Sequence, residues 1–300
     1  MRIADCLGTP GFRELYPFAS RYFERNGLQI HYLDEGAGEP IVMLHGNPTW
    51  SFFYRDLVKA LRGSYRCVVP DHLGMGLSDK PNDQQYRYTL QSRVNDLAAL
   101  LDELGLTTGV TLVLHDWGGI IGSVLATKHP NRIKRIIVFN TACGLLPPAK
   151  RLPWQLQLTR TPLGALLVRG GNAFALGTAR IGTIRPLPRA VRDAFVAPYD
   201  SWEHRIGTLR FVQDIPLHPG DRAYRLIAET AAQLYRLAKV PTLICWGERD
   251  FVFDHHFLQQ WRDAFPHAEV HTFPDAAHYL LEDARDRIVP LVTEFLAQTR

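Results

Sequence analysis

Apolar residues fall along this chain in short unbroken runs, separated by stretches where they return every third or fourth position. Pro40–Leu44, Arg66–Pro70, Val110–Leu114, Arg135–Phe139 and Val240–Trp246 read as strands, and Ala268–Phe273 as a further one. Runs this short and apolar suit strands buried on both faces, as in a parallel sheet. Between them the spacing predicts helices: roughly Phe52 to Leu61, then Leu90 to Leu104 ending at Gly105, then one near Phe257–Phe265 and a last one from Ala284 to Leu296. Upstream, Arg21–Glu24 and Leu28–Asp34 alternate around Asn26-Gly27, a strong hairpin signal. Strands alternating with helices predict an α/β fold, a mostly parallel sheet with helices on both faces.

The alternation lapses from about Asn140 to Lys239, where Pro, Gly, Arg and short apolar helical stretches replace the strand signals. The expected organisation is therefore a core from 1 to 140, an inserted helical cap or lid from 141 to 239, and the rest of the core from 240 to 300. Such a lid belongs over the carboxyl ends of the strands, where open α/β sheets bind their ligands.

A chain of 300 residues with 46% hydrophobic content supports one domain carrying a sizeable insertion. A net charge of +4 is too modest to suggest a nucleic-acid partner. Met1–Pro10 lacks the apolar stretch of a signal peptide, and no apolar run approaches the ~18 residues of a membrane span. Cys6, Cys67, Cys143 and Cys245 show no CxxC spacing, so they read as reduced, space-filling thiols of a cytoplasmic protein. No metal site or cofactor is expected. His255 and His256 are adjacent and should point apart on a helix that Asp254 caps.

Charge is unevenly spread. Between Lys150 and Lys239 lie 14 Lys+Arg against 6 Asp+Glu, a balance of +8, which leaves −4 for the remainder. Within that stretch, Leu152–Ile184 mixes Trp154, Leu156, Leu163, Leu167, Val168 and Phe174 with scattered arginines. Two readings stand. One is an amphipathic lid with its arginines in water. The other is an apolar channel for alkyl chains, with a basic rim suited to an acidic partner or to peripheral contact with a membrane.

The chemistry concentrates in Val110–His129. A strand, the single polar residue Asp116, and a helix with Gly118, Gly119, Gly122, Ser123 and Ala126 on one face have the layout of a nucleophile elbow. Asp116 reads equally as an ordinary helix cap. Two further residues bear on the choice: Asp250 follows one late strand and His278 the next. The order Asp116, Asp250, His278 is nucleophile, acid, histidine. A carboxylate with a reference pKa of ~3.9 is already anionic at neutral pH, so its attack needs no base. His278 would then serve a later step, oriented by Asp250. Asn47 and Trp117 carry side-chain N–H donors beside Asp116 that suit an oxyanion or a leaving anion.

HGNPTW (His45–Trp50), HDWGG (His115–Gly119), WGERDFVF (Trp246–Phe253) and AHYLLED (Ala277–Asp283) together resemble the haloalkane dehalogenase group of α/β-hydrolases. The resemblance covers most of the chain. It implies an α/β-hydrolase fold with Asp116, His278 and Asp250 as catalytic residues, since Asn140-Thr141 after the sixth strand offers no carboxylate. It also implies Asn47 as the second donor beside Trp117. This set is similar to the third dehalogenase subfamily, many of whose members resemble the cis-β-lactone decarboxylases of bacterial long-chain olefin biosynthesis. HGNPTWSFFYR, PDHLGMGLSDKP, GNAF, APYDSW and RFVQDIPL look like that group too. The implied reaction converts a long-chain cis-3-alkyl-4-alkyl-β-lactone to a cis-alkene and CO2 through a covalent Asp116 intermediate, without a cofactor. Implied partners are the long-chain substrate and other olefin-pathway enzymes in an assembly. Haloalkane dehalogenation is the alternative reading. Epoxide hydrolysis is third, with Tyr199, Tyr224 and Tyr235 as its candidate proton donors. A non-catalytic binding protein is disfavoured because every reacting position is filled. Leu114 and Ala277 depart from common patterns, where a small residue and a glycine are frequent.

Overall fold

Each of the six strand-like runs enters one eight-stranded sheet of the computed structural model, which describes residues 10–300. Cys6 and all of Met1–Pro10 except its last residue lie outside the described residues. The hairpin forms first, as β1 (Arg21–Arg25) and β2 (Leu28–Glu35), with Asn26 at φ 54° and Gly27 at φ 75°, the paired positive values that a tight primed turn requires. The rest are β3 (Pro40–Leu44), β4 (Arg66–Pro70), β5 (Val110–Asp116), β6 (Ile133–Thr141), β7 (Thr242–Gly247) and β8 (Glu269–Phe273). Their spatial order is β1-β2-β4-β3-β5-β6-β7-β8. Only the β1–β2 and β2–β4 pairs are antiparallel.

The two-residue period of the strands divides the core in two. Ile41, Met43, Val113, Ile137 and Phe139 face one side, packing with the helices Arg55–Leu61 and Arg285–Gln298. Val42, Leu44, Leu112, Leu114 and Val138 face the other, against Leu90–Glu103, Trp117–Lys128 and His255–Ala264. Helices thus cover both faces. β6 runs on past its apolar run because Asn140 and Thr141 are wholly buried with partners, Asn140 on the Gly247 carbonyl and Thr141 on that of Asp116. The predicted helix from Phe52 begins as a 3₁₀ turn, Ser51–Tyr54, and becomes α-helical at Arg55.

Between β6 and β7 the described residues form α-helices and no strand. These are Trp154–Thr159, Pro162–Gly171, Ala173–Ile181, Arg189–Val196, Ile206–Gln213 and Tyr224–Gln233. Thr161 accepts from Gly164 N to start the second, and Asn172, at φ 53°, breaks the chain between the second and third. Cys67, Cys143 and Cys245 are buried free thiols, and burial pushes Cys67 up to about 12. Among the described residues no helix is long and apolar enough to cross a membrane.

Candidate active site

Asp116 sits where β5 turns into the helix Trp117–Lys128, at φ 52° and ψ −122°. A non-glycine residue there carries strain of roughly 1–3 kcal/mol. The turn can be this sharp because the helix lies almost on the sheet: at Gly118 a Cβ would overlap the Leu44 carbonyl, and at Gly122 it would meet the Leu114 side chain. The larger Leu114 is thus matched by the missing side chain of Gly122. The structure bears on the capping reading of Asp116. Its carboxylate does not cap its own helix. Instead Oδ1 accepts from the Asn47 backbone N–H at 2.6 Å, and the Trp117 N–H also faces it.

His278 follows β8, and Asp250 the turn after β7. Asp250 Oδ1 accepts from Val252 N at 2.8 Å and Phe253 N at 3.1 Å, which leaves Oδ2 for His278 Nδ1 at 2.8 Å. Nε2 then points at Asp116 Oδ2, 3.8 Å away. All three residues are under 9% exposed. Burial alone would suppress the charge on His278, but Asp250 and then Asp116 outweigh it, and its pKa is raised. Burial likewise raises Asp116, against the pull of His278 and the two backbone donors.

These shifts predict a titration. Replacing Asp116 with Asn removes one of the carboxylates that favour the imidazolium, so the His278 pKa should fall, as read by NMR of its ring nitrogens against pH. Asp250→Asn should lower it further. A pKa that holds or rises in both variants would mean that neither carboxylate governs the histidine.

Asn47 and Trp117 meet at the same point, and both are held from the segment between β6 and β7. Asn47 Nδ2 donates one N–H to Thr208 O at 2.9 Å, leaving its second free. The Phe211 ring packs edge-on to the Trp117 indole, centroids 5.4 Å apart. Beneath them lies Arg93, its side chain fully buried, with its guanidinium 3.7 Å from the Phe211 centroid and 5.0 Å from that of Trp117. It bonds Asp214 at 2.7 Å, joining the helix Leu90–Glu103 to the segment between β6 and β7. Thr208, Phe211, Arg93 and Asp214 were not among the expected site residues, though RFVQDIPL contains two of them. His115 was also missed. Its Nε2 lies 2.9 Å from the His278 carbonyl and so fixes the histidine loop from below.

Asn47, Asp116, Trp117 and His278 end a cavity of about 310 Å³, whose walls are otherwise almost wholly hydrocarbon. Leu152, Leu156, Leu167, Val168, Phe174 and Ile181 supply much of it from the chain between β6 and β7. Leu163 does not line it and is 61% exposed, because it lies on the outer face of its helix. None of the three candidate tyrosines reaches the cavity either. Tyr199 is fully buried elsewhere, Tyr224 is not in the lining, and Tyr235 is 74% exposed. Asp275 is exposed and paired to Arg287 at 2.8 Å, so it is no rival to Asp250.

One expectation is reversed outright. His255 and His256 do not point apart: their ring centroids are 3.9 Å from one another. Asp254 caps the helix through His256 N, as expected, and His256 Nδ1 lies 3.2 Å from the same oxygen, which draws that ring beside its neighbour. Asp254, His255 and His256 therefore bring ligand-type atoms within 4.8 Å, although Lys150 already holds the carboxylate at 2.7 Å.

The sequence profile of the alpha/beta hydrolase fold matches residues 39–284. A cis-3-alkyl-4-alkyloxetan-2-one decarboxylase of Shewanella oneidensis is 54% identical over 287 residues, 95% of this chain and 90% of that one. A protein of the same name from Xanthomonas campestris pv. campestris is 50% identical, covering 94% of this chain and 97% of its own. Among solved structures, a haloalkane dehalogenase from Agrobacterium tumefaciens superposes with a TM-score of 0.85 at 25% identity, over 94% of this chain and 97% of that one. With its profile match, its sheet order and these relatives in agreement, the chain belongs to the α/β-hydrolase fold family, among its haloalkane dehalogenase-like enzymes.

Proposed function

We propose that this enzyme is a cis-3-alkyl-4-alkyloxetan-2-one decarboxylase, releasing a cis-alkene and CO2 from a long-chain β-lactone. The observation that carries the reading is a single carboxylate, Asp116, at the end of a hydrocarbon-walled cavity, in a chain half identical to proteins of that name. Asp116, His278 and Asp250 form the catalytic triad, and residues 141–239 act as the lid. Asp116 opens the strained ring. The side-chain N–H groups of Asn47 and Trp117 face the oxygen that takes up the negative charge. Departure of CO2 with formation of the double bond returns Asp116 to its carboxylate, while His278, held by Asp250, supplies positive charge beside it. Because burial raises the Asp116 pKa, turnover should fall away on the acid side at a pH above the ordinary aspartate range. We place the enzyme in the cytoplasm and in olefin biosynthesis, working beside the other enzymes of that route.

The cavity sets the expected substrate dependence. Each buried methylene contributes roughly 0.8 kcal/mol. Four more should contribute about 3 kcal/mol, or about two orders of magnitude in kcat/KM if the gain reaches the transition state. A series of cis-β-lactones of increasing chain length, assayed for alkene, should show that rise, and Leu167→Asp should flatten it. Bromoalkanes assayed for bromide should react slowly, the longer ones best. Fast turnover of short haloalkanes with no alkene from any lactone would replace this function with haloalkane dehalogenation.

A further inference from the structure

From Lys150 to Arg192 the chain carries eight Lys+Arg and no Asp or Glu. The same stretch holds seven of the ten large hydrophobic side chains that the described residues leave exposed. On the helix Pro162–Gly171 the usual pattern is inverted. Leu163, Leu166, Leu167 and Gly170 recur at helical spacing on the exposed side, while Gly164 and Val168 are buried. Trp154, Leu167 and Ile181 are 69%, 44% and 50% exposed and also line the cavity, so this apolar surface surrounds its mouth. Three of the cations are already committed, Lys150 to Asp254 and Arg189 and Arg192 to Asp193. Arg151, Arg180 and Arg185 are exposed, with no carboxylate in salt-bridge reach among the described residues.

We infer that this face docks on an anionic lipid surface, with the cavity mouth against the bilayer. Outward leucines and a tryptophan among arginines, with no acidic residue between, are what an interfacial helix needs: an apolar stripe for the acyl boundary and cations for the headgroups. A second copy of this chain fits poorly, since two such faces would set the unpaired Arg151, Arg180 and Arg185 of one against those of the other. An acidic protein could meet the arginines, but it would gain little from an apolar rim around an open hydrocarbon cavity. A bilayer satisfies both features. The inference deepens the proposed function by naming where a two-chain lactone is drawn from: it leaves the lipid phase directly into the cavity, without crossing water.

Vesicle flotation tests it without turnover, so its failure is separate from failure of the decarboxylase reading. The wild type should float with phosphatidylcholine vesicles containing phosphatidylglycerol, and hardly with phosphatidylcholine alone. Binding should weaken with added salt. Each basic residue near an anionic surface contributes about fivefold, so the Arg151→Ser, Arg180→Ser, Arg185→Ser triple variant should lose on the order of 100-fold in affinity. The Leu163→Ser, Leu166→Ser pair, outside the cavity, should remove the salt-resistant part of binding while a short soluble lactone is still turned over at the wild-type rate. Equal binding to both vesicle types, binding to neither, or capture by polyglutamate but not by vesicles would overturn the inference, the last in favour of an acidic protein partner. The salt series on the wild type decides the matter even if a variant misfolds.

Discussion

Asp116→Asn should abolish turnover while leaving the fold at least as stable as before. The side chain stays the same size, and Asn tolerates the positive φ at this turn, but the carboxylate proposed to attack is gone. Losing a covalent nucleophile typically costs on the order of 10⁴–10⁶-fold in kcat. The stability sign follows from linkage. The folded state raises the Asp116 pKa, so stability is lost as pH rises through that value, and the ionised group costs stability at neutral pH. A neutral amide removes the cost, so Tm should hold or rise. Loss of activity with unchanged or higher Tm separates chemistry from folding. His278→Gln is the companion variant. Because the first step needs no base, it should still alkylate Asp116 when offered a long bromoalkane, and mass spectrometry of the Asp116 peptide should find the adduct. An Asp116→Ala protein with normal turnover would sink the mechanism.

Asp250→Asn should cost several orders of magnitude in rate, about 10⁴-fold where loss of a histidine's orienting acid has this effect. Asn keeps an acceptor for Val252 N and Phe253 N, so the turn after β7 should survive. What changes is the atom facing His278. An amide N–H there cannot accept from Nδ1, so the ring proton moves to Nε2, on the Asp116 side, and the countercharge for the imidazolium is lost. The nearby Asp275 is exposed and bound to Arg287, so it offers no replacement. A loss under about tenfold would mean that an unrecognised acid orients the histidine.

What could be read from the chain beforehand was whatever local pattern dictates. The buried strands are short apolar runs because both of their faces are covered. The elbow is legible because only small residues let a helix lie so close to a sheet, and Asp116 stands alone between them. Asp250 and His278 are legible by their place after strands. Contacts between distant segments left no such mark. Arg93 looks like one more charged residue on an amphipathic helix, and nothing in its neighbours tells that Asp214, far along the chain, meets it in the interior. The facing of His255 and His256 likewise depended on a side chain folding back to its cap. Leu163 belongs to the apolar stretch but not to the cavity, because periodicity finds the apolar face of a helix, and here that face points outward.

The hold that Ile206–Gln213 and the residue after it keep on the site has a consequence for how such enzymes diversify. Thr208 positions Asn47, Phe211 packs on Trp117, and Asp214 ties down Arg93 beneath both. The walls of the cavity come largely from an earlier part of the chain between β6 and β7, between Leu152 and Ile181. Most of the cavity wall and the support of Asn47 and Trp117 therefore come from separate pieces of chain, although Val212 serves both. The wall between Leu152 and Ile181 can be grafted or resized to admit another substrate, whereas Ile206–Gln213 and Asp214 must travel with the core, as a matched set with Asn47, Arg93 and Trp117.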